Sequence, residues 1–572
     1  MKVTAYIEKF LKLKGIDTIF VLQGGMITRI IDEIHQQGNI TIVSVHHEQA
    51  AAMAADAYAR VTNKPGVALA TSGPGATNLI TGIGNCYFDS VPAIFITGQV
   101  NLNEQKGDRP IRQLGFQETD IVSIVRPITK AAYAIKRAED IPYLLEEAYR
   151  IAMKGRPGPV LLDIPMNIQY EECTDFKEIS EFPQNFNDDS KEGEKFIEQF
   201  IEAFKTSKKP LLLVGRGIRV SNAIKETRQL ISKLNIPTVM SLNGLDVIPY
   251  HDPNRIGFIG VYGNRWANYA LGSCDLLLVL GSRLDLRQTG ADTFTFSKGK
   301  TIFHVDIEEG ELNNRVPSCI TYKSNVSSFI KALLKTDLPV IQHQQWINEI
   351  NEQKKRRDDV MEIHDVDGIN PNKFIHLLSQ YSNKAKAFST DVGNNQMWAA
   401  QSIELNSEQL FLTSGGMGAM GYSLPAAIGS CFALKKQPIV AIAGDGGFQI
   451  NIQELQTIKR NELPIKMVIL NNHCLGMIRQ FQDSYFNSQY ISTVWGYSAP
   501  DFVAVAKAYG IEGEKIEKEN EIVNALTRMW ANPESPYLLE VSIDIHANVY
   551  PKILFGNPLT KMEPFIDELG ME

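Results

Sequence analysis

Between residues 439 and 472 the chain reads IVAIAGDGGFQINIQELQTIKRNELPIKMVILNN. An apolar stretch delivers Gly444, Asp445, Gly446 and Gly447, a helical stretch follows, and a second apolar stretch ends in Asn471 and Asn472. Neighbouring strands of a parallel sheet end at the same edge, so Asp445 and Asn472 can meet there. A carboxylate and a neutral amide oxygen suit a hard cation that keeps phosphate oxygens among its ligands. The glycines let backbone approach a phosphate, and the helix after Gly446 points its positive end at it. A lone Gly-Asp-Gly is most often only a tight turn. The asparagine pair ending 27 residues beyond Asp445, at the end of the next apolar stretch, argues for a bound cation.

A second reactive group stands in VSVHHEQAAAMAADAYAR, residues 43–60. Glu48 lies at a strand end and opens a helix so rich in alanine that it must pack closely. An acid there is easily buried, which suits it to proton transfer. The helix dipole alone also favours an acid at this position, by about a few tenths of a kcal/mol. His46 and His47 have no second ligand spaced to suit a metal and read as structural.

These groups need sheet edges to carry them. The 572 residues are too many for one core and predict three or four domains. Short apolar runs such as 17–22, 66–71, 93–97 and 160–164 alternate with helical-period segments, the pattern of parallel α/β sheets covered by helices. The expected fold is three doubly wound α/β domains over residues 1–170, 190–335 and 368–545, with a tail over 546–572. The polar stretch 170–194 reads as a linker, and 337–367, with EQKKRRDD, as a solvated helical connection. The first and third blocks are similar in size and order, consistent with a duplication.

Composition narrows the function. With 44% apolar and 21% charged residues and a net charge of −8, the chain has no basic balance to suggest nucleic acid. No apolar run reaches the roughly 18 residues a membrane span requires. The six cysteines are scattered without a C-x-x-C pair, and the expectation is a reduced, cytoplasmic protein with small-molecule substrates.

The GDG-to-Asn-Asn run matches the thiamine diphosphate signature. TSGPGATNLITGIGNCYFDSVPAIFITGQV, GFQETDIV, GRPGPVLLDIP, STDVGNNQMWAA and SGGMGAMGYSLPAAIG all resemble catalytic subunits of the acetohydroxyacid (acetolactate) synthase family. The resemblance implies pyrimidine, central and diphosphate domains, in that order, and a homodimer or homotetramer with active sites between chains. A regulatory subunit is left open. It implies thiamine diphosphate held through Mg2+, with Asp445, Asn472 and the Cys474 carbonyl as metal ligands. Glu48 would protonate the aminopyrimidine, Gly25 would offer an N–H to an oxyanion, and Phe116 and Gln117 would lie beside the reacting carbons. Pro74, Asn78, Gly393, Asn394, Asn395, Gly418, Met420, Gly444, Gly446, Gly447 and Met477 would contact the cofactor, Met420 as the wedge that bends it. The family commonly has Gln-His at Asn394-Asn395.

The central domain resembles the flavin-binding form, with FAD in a structural role. Gly215, Arg216 and Gly217 follow one strand, Gly281, Ser282, Arg283, Asp285 and Arg287 another, and Asp306 and Ile307 end a third; Arg126 is implied as a further contact. Arg283 matches the arginine that pairs with the acceptor carboxylate, for which a guanidinium fork is suited. Two acceptor positions depart from the family: Phe481 replaces the tryptophan that favours 2-ketobutyrate, and Val261-Tyr262 replace Met-His. The expectation is a carboligase that decarboxylates pyruvate and transfers the two-carbon unit to a 2-keto acid or ketone. Transfer to a nucleotide-linked keto-sugar and a flavin-dependent pyruvate oxidase are the alternatives.

Overall fold

The computed structural model describes residues 1–174, 190–364 and 366–565. The first sheet consists of β1 (Thr18–Val21), β2 (Thr41–Ser44), β3 (Gly66–Ala70), β4 (Ala93–Gln99), β5 (Ala131–Ala134) and β6 (Pro159–Pro165), in the order β2-β1-β3-β4-β6-β5. The second consists of β7 (Pro210–Val214), β8 (Thr238–Met240), β9 (Arg255–Phe258), β10 (Leu276–Leu280), β11 (Thr301–Asp306) and β12 (Ile320–Lys323), ordered β12-β11-β10-β7-β8-β9. The third consists of β13 (Ala387–Thr390), β14 (Leu410–Thr413), β15 (Ile439–Gly444), β16 (Ile465–Asn471), β17 (Glu512–Ile516) and β18 (Tyr537–Ser542), ordered β14-β13-β15-β16-β18-β17. Every strand pairing is parallel. Helices cover both faces, which is why central strands such as Leu276–Leu280 are apolar at every position and wholly buried.

Counted from its own first strand, the third sheet repeats the order of the first, which supports the duplication reading. The second sheet has the order 3-2-1-4-5-6, that of dinucleotide-binding sheets. The stretch read as a linker is shorter than its composition indicates at its C-terminal side, because helix Ser190–Thr206 begins inside it. Residues 175–189 and the last seven of the tail lie outside the described residues. No helix is long and apolar enough to cross a membrane among the described residues. All six cysteines are buried, and no disulfide joins them.

Two equivalent helices tie the first sheet to the third. Glu48–Thr62 follows β2 and Ser423–Ala433 follows β14, and they cross with backbone against backbone. A Cβ at Gly429 would stand 2.0 Å from the Ala54 carbonyl oxygen. On other sides of the first helix a Cβ at Gly82 would stand 2.2 Å from the Ala52 Cβ, and one at Gly66 would stand 1.9 Å from the Ala55 carbonyl oxygen. These approaches explain why Gly66, Gly82 and Gly429 carry no side chain, and Ala52, Ala54 and Ala55 are themselves fully buried.

The connection between the second and third sheets contains the expected exposed helix, Gln344–Arg356, and is then locked by buried charge. Arg265 pairs with Glu362 at 2.6 and 2.8 Å. His376 lies between Asp359 (2.9 Å) and Glu404 (2.7 Å). Tail residues run back over this region: Gln480 bonds both main-chain groups of Val549, and the Ile553 N–H donates to the Val261 carbonyl at 2.9 Å.

Two outcomes test this packing. Gly429→Ala, which at an ordinary helix position would stabilise by about 1 kcal/mol, is expected instead to destabilise by about 1–3 kcal/mol and lower the melting temperature; an unchanged or raised melting temperature contradicts the crossing. Burial alone would lower the His376 pKa, but Asp359 and Glu404 hold it at about 9, above its ordinary 6.5. Its contribution to stability is therefore fully present below pH 6.5 and lost as pH rises through about 9. Thermal melts of wild type and His376→Gln should differ most at the acid end of that window and converge above it, and a gap that widens with pH contradicts the assignment.

Candidate functional site

At the C-terminal edge of the third sheet, Gly444 pairs with Leu470 across β15 and β16, so Asp445 and Asn472 emerge side by side. Asp445 is the first residue of helix Asp445–Ile450 and is buried. Its Oδ2 has no hydrogen-bond partner, and burial pushes the carboxyl up to about 6. The Tyr497 hydroxyl lies beside it, and burial and the Asp445 charge raise the Tyr497 pKa. Asn472 and Asn394 both crowd the start of helix Gly476–Tyr485: a Cβ at Gly476 would stand 2.5 and 2.6 Å from their amide nitrogens. The Asn394 Oδ1 is a second buried oxygen without a partner. Two orphaned oxygens around one glycine-lined edge fit a cation with a phosphorylated ligand, because unpaired buried acceptors cost about 1–3 kcal/mol each unless something occupies them.

The glycines of this edge serve different neighbours. A Cβ at Gly444 would approach the Asn395 Oδ1 (3.2 Å), and one at Gly446 would meet Leu475, Tyr497 and the Met420 Cε (2.7, 3.2 and 3.4 Å). Gly447 is required by Asp391, whose Oδ1 would be 2.2 Å away. Asp391 is a buried carboxylate that accepts from the N–H groups of Val392, Gly421 and Ser423, and so fixes the turn behind Met420. Gly393, at φ 151°, caps helix Asn394–Ser402. Gly418, at φ 65°, has open space where a Cβ would stand. The Cys474 thiol is held up at about 11 by burial, so its carbonyl is the atom suited to a hard cation. Among the described residues no group of three His, Cys, Asp or Glu side chains is placed to hold a metal ion, and the carboxylate, amide and carbonyl oxygens at this edge are a different donor set from that of a zinc site.

At the edge of the first sheet, Glu48 is buried and opens helix Glu48–Thr62, with His47 as its N-cap accepting from the Gln49 N–H. The Glu48 Oε2 accepts from the Asn78 amide at 2.9 Å, so Asn78 grips the acid rather than facing outward. Pro74 starts the short helix that brings Asn78 there, and a Cβ at Gly75 would stand 3.1 Å from the Glu48 Oε1. Gln117, at φ 66°, lies against Gly73, and Phe116 beside it is 79% exposed. Gly25 is exposed, and a Cβ there would meet nothing within 4 Å. No hydrogen bond or ion pair joins Glu48, Asn78 or Gln117 to Asp445, Asn472 or Asn395 among the described residues.

A cavity of about 1190 Å³ opens at the switch point of the second sheet, between β7 and β10. Its lining includes Arg216, Gly217, Val261, Gly281, Ser282, Arg283, Asp285, Arg287, Asp306 and Ile307. Burial, with Arg60 nearby, pushes Arg216 down to about 10, and burial pushes Asp306 up to about 6. The volume and strand order fit a dinucleotide. The glycines here have a structural reason: a Cβ at Gly215 would stand 2.3 Å from the Gly281 carbonyl oxygen, and one at Gly217 would stand 2.6 Å from the Gly281 Cα. Arg126 is exposed and does not line this cavity. Arg283 is loosely tethered at 3.5 Å to Asp285 and to the Phe88 carbonyl. Phe481 lies outside the cavity, its ring 4.9 Å from Tyr485 and 5.6 Å from Phe486 between centroids. Met477, on the same helix, packs on the core. The tail touches both regions, with the Phe555 ring 5.5 Å from Tyr485 and the Ile553 N–H donating to the Val261 carbonyl.

Residues 1–124, 197–333 and 391–541 match the N-terminal TPP binding domain, the central domain and the C-terminal TPP binding domain of thiamine pyrophosphate enzymes. The chain is 36% identical over 554 residues to the acetolactate synthase isozyme 2 large subunit of Escherichia coli, covering 96% of this chain and 97% of that one. It is 37% identical over 576 residues to the acetolactate synthase large subunit of Cyanidium caldarium, covering 98% and 96%. The large subunit of Lactococcus lactis is 35% identical over 546 residues, covering 96% and 93%. The chain therefore belongs to the acetolactate synthase large-subunit family of thiamine pyrophosphate enzymes.

Proposed function

We propose that this chain decarboxylates pyruvate and joins the resulting two-carbon unit to a 2-keto acid, an acetolactate synthase activity dependent on thiamine diphosphate. The observation that carries the reading is the pair of unpartnered buried oxygens, on Asp445 and Asn394, at the edge where Asn472 also emerges. Asp445, Asn472 and the Cys474 carbonyl would hold Mg2+, and Asn394, Asn395 and Gly444 would face the diphosphate. When bound, thiamine diphosphate supplies the carbon nucleophile that decarboxylation of a 2-keto acid requires.

The remaining chemistry belongs to the chain. Glu48, steadied by Asn78, exchanges a proton with the ring placed against it. Gly25 offers an N–H to the substrate oxygen that gains charge, with no side chain in the way. Met420, packed over Gly446, supports the bend of the cofactor between its two ends. Arg283, bound only at 3.5 Å by its neighbours, keeps donors for an acceptor carboxylate. A complete site would take Glu48 from one copy and Asp445 from another, as a homodimer or homotetramer would supply; the family resemblance supports this, and within one chain no hydrogen bond or ion pair joins the two groups among the described residues. FAD suits the central cavity, where it serves structure, since carboligation involves no net oxidation. The relatives are named large subunits, which favours a smaller partner subunit here too. Buried cysteines without disulfides suit a reducing compartment such as the cytoplasm.

The oxidase and keto-sugar alternatives are not favoured, given relatives named acetolactate synthase across almost the full chain. Incubation with pyruvate, thiamine diphosphate and Mg2+ should release CO2 and accumulate acetolactate, identified by mass. Dye reduction by pyruvate without any carboligation product would overturn the reading in favour of an oxidase. Glu48→Gln should lower turnover by about 10²–10⁴-fold while calorimetry still detects thiamine diphosphate binding; wild-type turnover in that variant removes Glu48 from the mechanism.

A further inference from the structure

Asp89 ends helix Ile80–Phe88 and is the point where all three domains touch. Its side chain is 2% exposed. From the first domain, Arg60 Nη2 donates to its Oδ2 at 2.8 Å. From the third, the N–H groups of Gly415 and Gly416 donate to Oδ2 and Oδ1 at 2.9 and 2.7 Å. From the second, Asn243 Nδ2 donates to Oδ1 at 3.2 Å, and Arg216 Nε donates to the Asp89 carbonyl at 2.9 Å. Burial works against the charge, yet Arg60 and the Gly415 N–H hold the carboxyl below its ordinary range.

Two functional regions meet at this residue. Asp89, Arg216 and Asn243 line the central cavity together with Gly415. Gly415 and Gly416 begin the loop that carries Gly418 and Met420 to the edge of the third sheet. That loop has no slack at its start: a Cβ at Gly415 would stand 2.3 Å from the Asn243 amide nitrogen, and one at Gly416 would stand 2.7 Å from the Phe88 Cβ. Among the described residues, the Arg216 side chain makes one hydrogen bond, to Asp89, so an anionic ligand in the cavity finds its other donors uncommitted.

We propose that Asp89 is a positioning residue that couples ligand binding in the central cavity to the conformation of the loop from Gly415 to Met420. A dinucleotide that fixes Arg216 and Asn243 fixes Asp89, and through its two N–H bonds the start of that loop. Thiamine diphosphate then meets a loop already ordered, and the coupling must be equal in both directions. The inference rests on the cofactor reading given above.

Calorimetric titration of FAD-stripped protein with thiamine diphosphate and Mg2+, without and with FAD, together with the reverse titration, closes the cycle. FAD is expected to tighten thiamine diphosphate binding about fivefold or more, by the same factor in reverse. Asp89→Asn, whose amide no longer accepts both loop N–H groups and Arg60, should bring the factor close to one while each cofactor still binds alone. A wild-type factor of one, or an unchanged factor in Asp89→Asn, overturns the proposal. Asn243→Ala removes the second-domain donor to the Asp89 carboxylate and leaves Arg216 on the Asp89 carbonyl, so it should reduce the factor without abolishing it; an unchanged factor there contradicts a coupling carried by the carboxylate even if Asp89→Asn fails to fold. Failure of the wild type to bind either cofactor alone would instead overturn the cofactor reading on which the coupling depends.

Discussion

Where helix Glu48–Thr62 crosses helix Ser423–Ala433 there is no room for a side chain, and the carbonyl of Ala54 lies against Gly429. The crossing joins equivalent helices of two sheets with the same strand order, so it relates the first and third domains to each other. It also determines where Glu48 can be. The helix cannot slide or rotate without driving Ala52, Ala54 or Ala55 into Gly82, Gly429 or Gly66. Interiors packed this closely transmit displacement rather than absorb it.

That rigidity has a chemical use. On the proposed function, an acid that exchanges a proton and a carboxylate that holds a cation would disturb each other if they were neighbours, since like charges at short range oppose ionisation. Here they stand at the edges of different sheets, each with its own neighbour: Asn78 on Glu48, and the Tyr497 hydroxyl beside Asp445. Asp89 lies where the domains meet, and its one carboxylate receives donors from all three. Such a buried charge is tolerated because its hydrogen-bonding capacity is filled.

Much of this arrangement was legible in the residues. Asp445 and Asn472 could be joined from sequence because strand ends and glycine turns are local signals, and adjacent parallel strands bring those ends together. Glu48 was visible through its alanine-rich helix. The partners were not. Asn78 as the support of Glu48, Tyr497 beside Asp445, and Asp391 behind Gly447 depend on contacts between distant segments, which no spacing rule encodes. Gly215 and Gly217 have a packing reason that the sequence does not show: the loop at Gly281 passes within van der Waals distance of each. The start of helix Ser190–Thr206 inside the polar stretch is not legible, because such a stretch reads alike whether it is extended or a helix with one solvated face.

The central claim is that Glu48 and Asp445 act on one cofactor from two copies of the chain. Glu48→Gln and Asp445→Ala proteins, each inactive alone, can be coexpressed so that their chains assemble together. In a mixed dimer one site carries both substitutions and the other carries neither. The account predicts recovery of roughly a quarter of wild-type acetolactate production under random pairing of chains. No recovery, with mixed dimers shown to be present by mass, would mean that each chain holds its own complete site and would contradict the account.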